Sequence, residues 1–348
     1  MTTGRPTLET VARAAGVSPM TVSNAYNRPD QISAETRSRV LEVARSLGYA
    51  GPDPAGRSLR RGRADTIGVL LTEQLPYAFS DPGTVEFLHG VASGLAEAGQ
   101  ALLLLPTEGN AEHALVRNAL VDGFVLASLA PDDPVVADVL GRRLPVVTWG
   151  HARIPGVPRI GVDTVRAVAK AARHLLELGH KQFGVVTFGG AVALGTPTVM
   201  AGVHIAMRAR VSGFLRAVAA AGVDPASVRV VDAAGNTRAD GASAVRKLLA
   251  DPRPTAVFAV TDVLALGVLG GAANAGVSVP RDLSVVGFDD VAAAATSVPP
   301  LTTVSQSLFD QGRLAARVVL DQAAGRPVRI PPIRTALVIR ASTAPSAR

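Results

Sequence analysis

The 348-residue chain contains no cysteine. That excludes disulfides, thiolate metal sites and thiol nucleophiles together, and it fits a reducing compartment. Aromatic residues make up only 4%. Ala, Val and Leu carry the apolar load, so packing is expected to rest on many small contacts rather than a few ring anchors. No apolar run approaches the roughly 20 residues of a membrane span; the stretch from Val185 to Val203 is broken by Gly, Thr and Pro. Met1 to Gly16 holds no apolar core for a signal peptide. The expectation is a cytoplasmic protein with no membrane partner. The six His are scattered without metal-ligand spacing. No Walker loop and no Gly-x-Gly-x-x-Gly follows a strand-like run, and no nucleophile or oxyanion motif accompanies the adjacent acids Asp289 and Asp290. No metal, cofactor or catalytic residue is expected.

What is present is a chain long enough for two or three units, with 48% hydrophobic residues to bury. The net charge of +7 is unevenly placed: residues 1–63 hold ten Arg, no Lys and five acids, while the rest holds 25 basic and 23 acidic groups. A basic head on a near-neutral body suits a polyanion partner, although a solvated Arg-rich tail would look the same by charge alone.

The head has helical punctuation. Thr7 is placed to cap a helix with Leu8, Val11, Ala12 and Ala15 on one face, ended by Gly16. Ser18 caps a second helix with Pro19 at its first position, and Ser33 caps a third carrying Val40, Val43, Ala44 and Leu47, with Gly48 as its stop. Two helices across a tight turn followed by a third is helix-turn-helix geometry, the second helix lying in the major groove. Its outward candidates are Pro19, Met20, Ser23, Asn24 and Asn27. Asn pairs bidentately with adenine and Met touches a thymine methyl; the hydroxyls of Ser18, Thr21, Ser33 and Thr36 suit phosphates. A generic three-helix bundle is the competing reading.

The run Leu8–Asn27, with its Ala-Gly-Val-Ser and Thr-Val-Ser core, resembles the start of lactose-repressor/galactose-repressor family regulators. The resemblance implies that Thr7 and Leu8 also face DNA. Asn24 stands where the family often has Arg, so the usual operator preference does not follow. Residues 51–65 are rich in Gly, Pro and Arg and read as a basic linker. The resemblance implies a hinge helix here, with Leu59 pushed into a minor-groove step and Arg57 beside phosphate. Gly56 in place of the family's Ala, and a spacing one residue longer, imply a hinge that orders only on DNA.

From Thr66 onward short apolar runs alternate with amphipathic stretches. Strands are expected at 67–71, 101–105, 123–127, 145–149, 183–187, 228–231, 256–260 and 284–288, and helices at 164–178, 208–221, 239–249 and 263–275. The alternation predicts parallel sheets covered on both faces, in two lobes with a cleft at the strands' carboxyl ends; a barrel is the competitor. The segments Pro254–Asp262, Val279–Asp290 and Pro299–Val304 extend the resemblance, which implies a sensor similar to periplasmic sugar-binding proteins. The fold class is then an all-α helix-turn-helix head plus an α/β two-lobed sensor. The domains are 1–50, a hinge 51–65, and a sensor 66–345 with lobe 1 at 66–161 and 291–323 and lobe 2 at 162–290 and 324–345.

By the same resemblance, Arg210 grips polar ligand groups and Asp289 accepts from ligand hydroxyls, a sensible pair for a polyhydroxylated molecule. A surface Arg and a helix cap are the plain alternatives. Thr261 stands where relatives have Asn, and Thr237 where some have a ring stacked on ligand. Asp163 either caps a helix or touches ligand. Phe79, Ser80 and Trp149 are candidates for the other lobe, with core packing equally open to Trp149. The apolar segment Gly189–Ile205 reads as a lid or a dimer-side loop. The implied protein is a homodimeric repressor of near-palindromic operator DNA, controlled by a small metabolite of the sugar class. A doubly wound enzyme carrying a DNA-binding head, and a non-specific DNA-binding protein, are the rivals.

Overall fold

The computed structural model describes residues 6–51, 61–72, 75–107, 112–151, 153–190, 202–250 and 252–347. It divides into two compact units, Met1–Asp65 and Thr66–Arg348.

In the first unit, α1 (Leu8–Ala15), α2 (Pro19–Asn27) and α3 (Ala34–Ser46) begin at the hydroxyl caps Thr7, Ser18 and Ser33, each accepting from the backbone three residues on. Gly16 ends α1 in the left-handed conformation. Val11, Ala12, Ala15, Val22, Ala25, Val40 and Ala44 form the core. Arg37 Nε donates to Ala25 O at 3.2 Å, tying α3 to α2. Leu47, expected on the core face, is the α3 C-cap and is exposed: the helix has already ended where periodicity would carry it inward.

The second unit runs β1 (Thr66–Leu71), α4 (Leu75–Ala78), α5 (Pro82–Glu97), β2 (Ala101–Pro106), α6 (Glu112–Asn118), β3 (Gly123–Ala127), α7 (Pro134–Gly141), β4 (Val146–Trp149) and β5 (Arg159–Ile160). It continues through α8 (Thr164–Glu177), β6 (Phe183–Phe188), α9 (Gly202–Ala219), β7 (Arg229–Ala233), α10 (Arg238–Leu248), β8 (Ala256–Ala259), α11 (Asp262–Asn274), β9 (Ser284–Asp289), α12 (Ala292–Thr296), β10 (Thr302–Ser305), α13 (Leu308–Ala323) and β11 (Ala336–Val338). The strands form two sheets, in the orders β2-β1-β3-β4-β5 and β11-β10-β9-β8-β6-β7. All pairings are parallel except β10 with β11. In the first sheet, side chains alternate between two cores: Ile67, Val69 and Leu71 enter one, Leu70, Phe124 and Leu126 the other. Among the described residues no helix is long and apolar enough to cross a membrane.

Two expectations are corrected. Residues 291–305 do not return to lobe 1: β10 pairs with β9, and Ala294, Leu301 and Val304 lie in the lobe 2 core. The chain re-enters lobe 1 only at α13, whose Leu314 to Val319 face joins the lobe 1 core. It stays there through Ile333 before β11 rejoins the second sheet. Rings also anchor the cores more than their scarcity suggests. Phe87, Phe124, Phe214, Phe258 and Phe288 are fully buried. Phe214 stacks on Phe258 at 5.1 Å and Phe87 on Trp149 at 3.8 Å between centroids.

Small residues do their work between helices. A Cβ on Gly90 of α5 would overlap the carbonyl oxygen of Phe309, and one on Gly312 of α13 would overlap that of Phe87. Lobe 2 repeats the device: Gly241 of α10 lies against Leu264 O, and Gly267 of α11 against Arg238 O. Backbone thus packs on backbone at one helix crossing in each lobe.

Candidate functional site

On the head, the α2 N-terminus presents Met20, 68% exposed, beside exposed Ser18 and Pro19. Ser23 and Asn24 are half-buried, and Asn24 lies one turn beyond Met20. The Ser18 and Thr21 hydroxyls bond each other at 2.9 Å, as do those of Ser33 and Thr36. Two of the expected residues are otherwise engaged. Asn27 Nδ2 donates to Ser23 O at 3.0 Å, folding the amide back onto its own helix, and Leu8 packs against the head core. Thr7 forms a capping box with Thr10. Arg57 and Leu59 lie outside the described residues, as does most of Gly189–Ile205.

In the second unit a narrow cleft of about 100 Å³ lies at the carboxyl ends of the strands. Trp149 stands at the end of β4, Asp289 at the end of β9, and Thr261 and Gln306 just past β8 and β10. Arg210, on α9, reaches in from the side and is buried. One terminal nitrogen lies 3.1 Å from Asp289 Oδ1, the other donates to Val260 O at 2.5 Å, and the guanidinium carbon sits 4.0 Å from the Phe288 ring centre. Its Nε is buried without a hydrogen-bond partner. Asp289 also accepts from Gln306 Nε2 at 2.6 Å. Burial pushes the Asp289 carboxyl up to about 6, with Asp81 adding to the rise and Arg210 opposing it.

Asp289 and Asp290 are both held at positive φ, 124° and 63°, a conformation that costs energy unless the surroundings enforce it. Buried Asp262, at the start of α11, accepts from Val291 N at 2.9 Å and from the Thr303 hydroxyl at 2.5 Å; burial pushes its carboxyl up to about 7, with Asp289 adding to the rise and hydrogen bonds from Thr303, Val291 N–H and Asp290 N–H opposing it. Arg340 closes the far side on Asp290 at 2.7 Å.

Arg210, Asp289, Thr261 and Trp149 therefore meet around one cleft. The other four expected ligand residues do not line this cleft. Phe79 is 62% exposed and Ser80 donates to Tyr77 O; their neighbours Tyr77 and Asp81 line the cleft instead. Asp163 caps α8 and Thr237 caps α10 with a capping box, while adjacent Asn236 lines the cleft, accepting from Thr261 Oγ1 at 2.6 Å. Sequence reasoning also missed His151, Gln306 and Gln311. Gln311 accepts from Trp149 Nε1 at 2.9 Å, and His151 Nε2 lies 3.0 Å from Thr164 Oγ1. Of the cleft residues not expected, only Asp81, ahead of Pro82, carried a local signal, as a helix cap.

A model of bacterial regulatory proteins, lacI family, matches residues 7–51, and a periplasmic binding protein-like domain matches residues 172–343. An HTH-type transcriptional regulator of Mycolicibacterium smegmatis is 38% identical over 341 residues, covering 93% of each chain. The HTH-type transcriptional repressor CytR of Escherichia coli is 33% identical, covering 92% of this chain and 91% of its own. The solved complex of the transcriptional regulator CelR with cellobiose has a TM-score of 0.68 at 31% identity, over 97% of this chain and 100% of that one. With relatives matched from the head through the last strand, the chain belongs to the lacI family of bacterial regulatory proteins and is a DNA-binding transcriptional regulator.

Proposed function

We propose that this regulator is a homodimeric, cytoplasmic repressor whose operator affinity is set by a small sugar bound between its two lobes. The observation that carries the reading is the Arg210–Asp289 pair lining a cleft shared with Trp149, Asn236 and Thr261. A planar donor fork beside a carboxylate suits vicinal hydroxyls, which donate and accept at once. CelR, bound to cellobiose, and CytR, named a repressor, support the same assignment.

Two paired sensors place two heads (residues 1–50) over the half-sites of a near-palindromic operator. Ser18, Pro19, Met20, Thr21, Ser23 and Asn24 enter the major groove, with Ser33 and Thr36 on phosphate. The hinge, residues 51–65, carries Leu59 and Arg57 to the minor groove. Sugar binding changes the angle between lobes and parts the hinges; a coupling of about 1–3 kcal/mol suffices. The test is selection of duplexes from a random pool by the purified protein at fixed salt, followed by release with added sugars. Recovery of a palindrome with a central pyrimidine–purine step, released by a sugar, is expected. Recovery of no motif would refute the reading.

A further inference from the structure

The charges around the cleft narrow the class of effector. Arg210 is the single Lys or Arg lining the cleft among the described residues, and the stretches between 66 and 347 that lie outside the described residues contain no Lys or Arg. Its charge is already engaged by Asp289, and both terminal nitrogens have protein acceptors. Asp81 adds a second carboxylate to the cleft from the lobe 1 side: Oδ2 accepts from Thr84 N at 3.0 Å and Thr84 Oγ1 at 2.7 Å, and Oδ1 from Asn236 Nδ2 at 3.4 Å across the lobes. Asp81 is close enough to Asp289 to raise its pKa, and Asp289 in turn raises that of Asp262 behind it. His151 adds no charge at neutral pH, because burial, Arg210 and Arg159 push it down to about 4. The lining thus sets two carboxylates against one guanidinium.

Such a lining repels a phosphate or carboxylate, which would meet a net negative field. A neutral hydroxyl meets no such field, and it donates to carboxylate oxygen. We infer that the effector is an uncharged, polyhydroxylated molecule, and that Asp81 together with Asp289 excludes its phosphorylated and carboxylated counterparts. This rests on the sugar reading above and adds the charge class to it.

The experiment is calorimetric titration of the full-length protein at pH 7.5 with cellobiose, glucose, ribose and fructose, and with glucose 6-phosphate, ribose 5-phosphate and fructose 6-phosphate. Binding of at least one neutral probe is expected, with every phosphate ester at least 100-fold weaker than the tightest neutral probe. The same titrations of Asp81→Asn are expected to narrow that ratio at least fivefold, since the amide keeps an acceptor for the α5 cap while losing the charge. A phosphate ester binding as tightly as its neutral sugar overturns the inference but leaves the sugar reading standing. No binding by any probe overturns both. An unchanged ratio in Asp81→Asn overturns the role given to Asp81.

Discussion

Asp262 Oδ2 accepts the backbone N–H of Val291 at 2.9 Å, and through that bond the first residue of α11 sets the shape of the turn that follows β9. Asp289 and Asp290 sit in that turn at φ values that non-glycine residues rarely adopt. A buried carboxylate accepting from two successive N–H groups and the Thr303 hydroxyl is what holds them there. Asp262→Leu is expected to orphan those N–H groups and to cost about 3–5 kcal/mol. Asp262→Asn keeps one acceptor for the backbone and lets the Thr303 hydroxyl rotate to accept, so its cost should stay below about 2 kcal/mol. Urea unfolding of the two variants compares them directly; equal losses would show that volume, not hydrogen bonding, sets the turn.

Arg210→Met leaves the Asp289 carboxylate buried with Gln306 as its remaining side-chain donor. Breaking a buried pair from one side costs about 3–5 kcal/mol, whereas removing both charges is far cheaper. The double variant Arg210→Met with Asp289→Asn should therefore be more stable than Arg210→Met alone. Strictly additive losses in the double-mutant cycle would contradict this.

His151 makes lobe stability pH-dependent. Its folded pKa of about 4 lies below the ordinary 6.5, so as pH falls the unfolded chain takes up the proton first. The contribution is fully present above about pH 6.5 and is lost as pH drops toward 4, reaching on the order of 2 kcal/mol by pH 5. Denaturation midpoints at pH 7.5, 6 and 5 should fall more steeply for the natural protein than for His151→Gln. Parallel profiles would remove His151 as the cause.

Asn24 and Asn27 should part company in operator binding. In the proposed docking Asn24 meets a base edge, and Asn24→Ala is expected to weaken specific binding by about 1–3 kcal/mol while leaving non-specific binding nearly unchanged. Asn27 already spends its amide on Ser23, so Asn27→Ala should change specificity little and act mainly on head stability. Competition titrations with operator and random duplex separate the two, and a larger specificity loss from Asn27→Ala would reverse the assignment.

The elements legible in the sequence were those announced by local chemistry. Thr7, Ser18 and Ser33 name the helix starts of the head because a hydroxyl at that position has one best use. Strands such as Gly123–Ala127, buried throughout, read as apolar runs. β10 escaped because Thr302 and Thr303 are polar yet fully buried; their hydroxyls serve Arg340 N and Asp262. β5 and β11, two and three residues long, carry no periodicity to read. In the cleft, the family resemblance marked Arg210 and Asp289, but Asp81, His151, Asn236 and Gln306 come from four separate strand-end loops. Nothing in their spacing announces a shared wall; the sheet order assembles it.

The glycine crossings bear on how such a molecule can move. Where the carbonyl of Phe309 rests on Gly90 and that of Phe87 on Gly312, no long side chain is present to change rotamer and let α13 slide over α5. The same holds for α10 and α11. Each lobe is therefore stiff along its thickest seam, and compliance is left to the three thin strands of chain between them, near residues 161–163, 306–307 and 334–335. A displacement of an ångström at the cleft then becomes a rotation rather than being absorbed by the cores, and it grows with distance from those pivots as it does at the end of a lever.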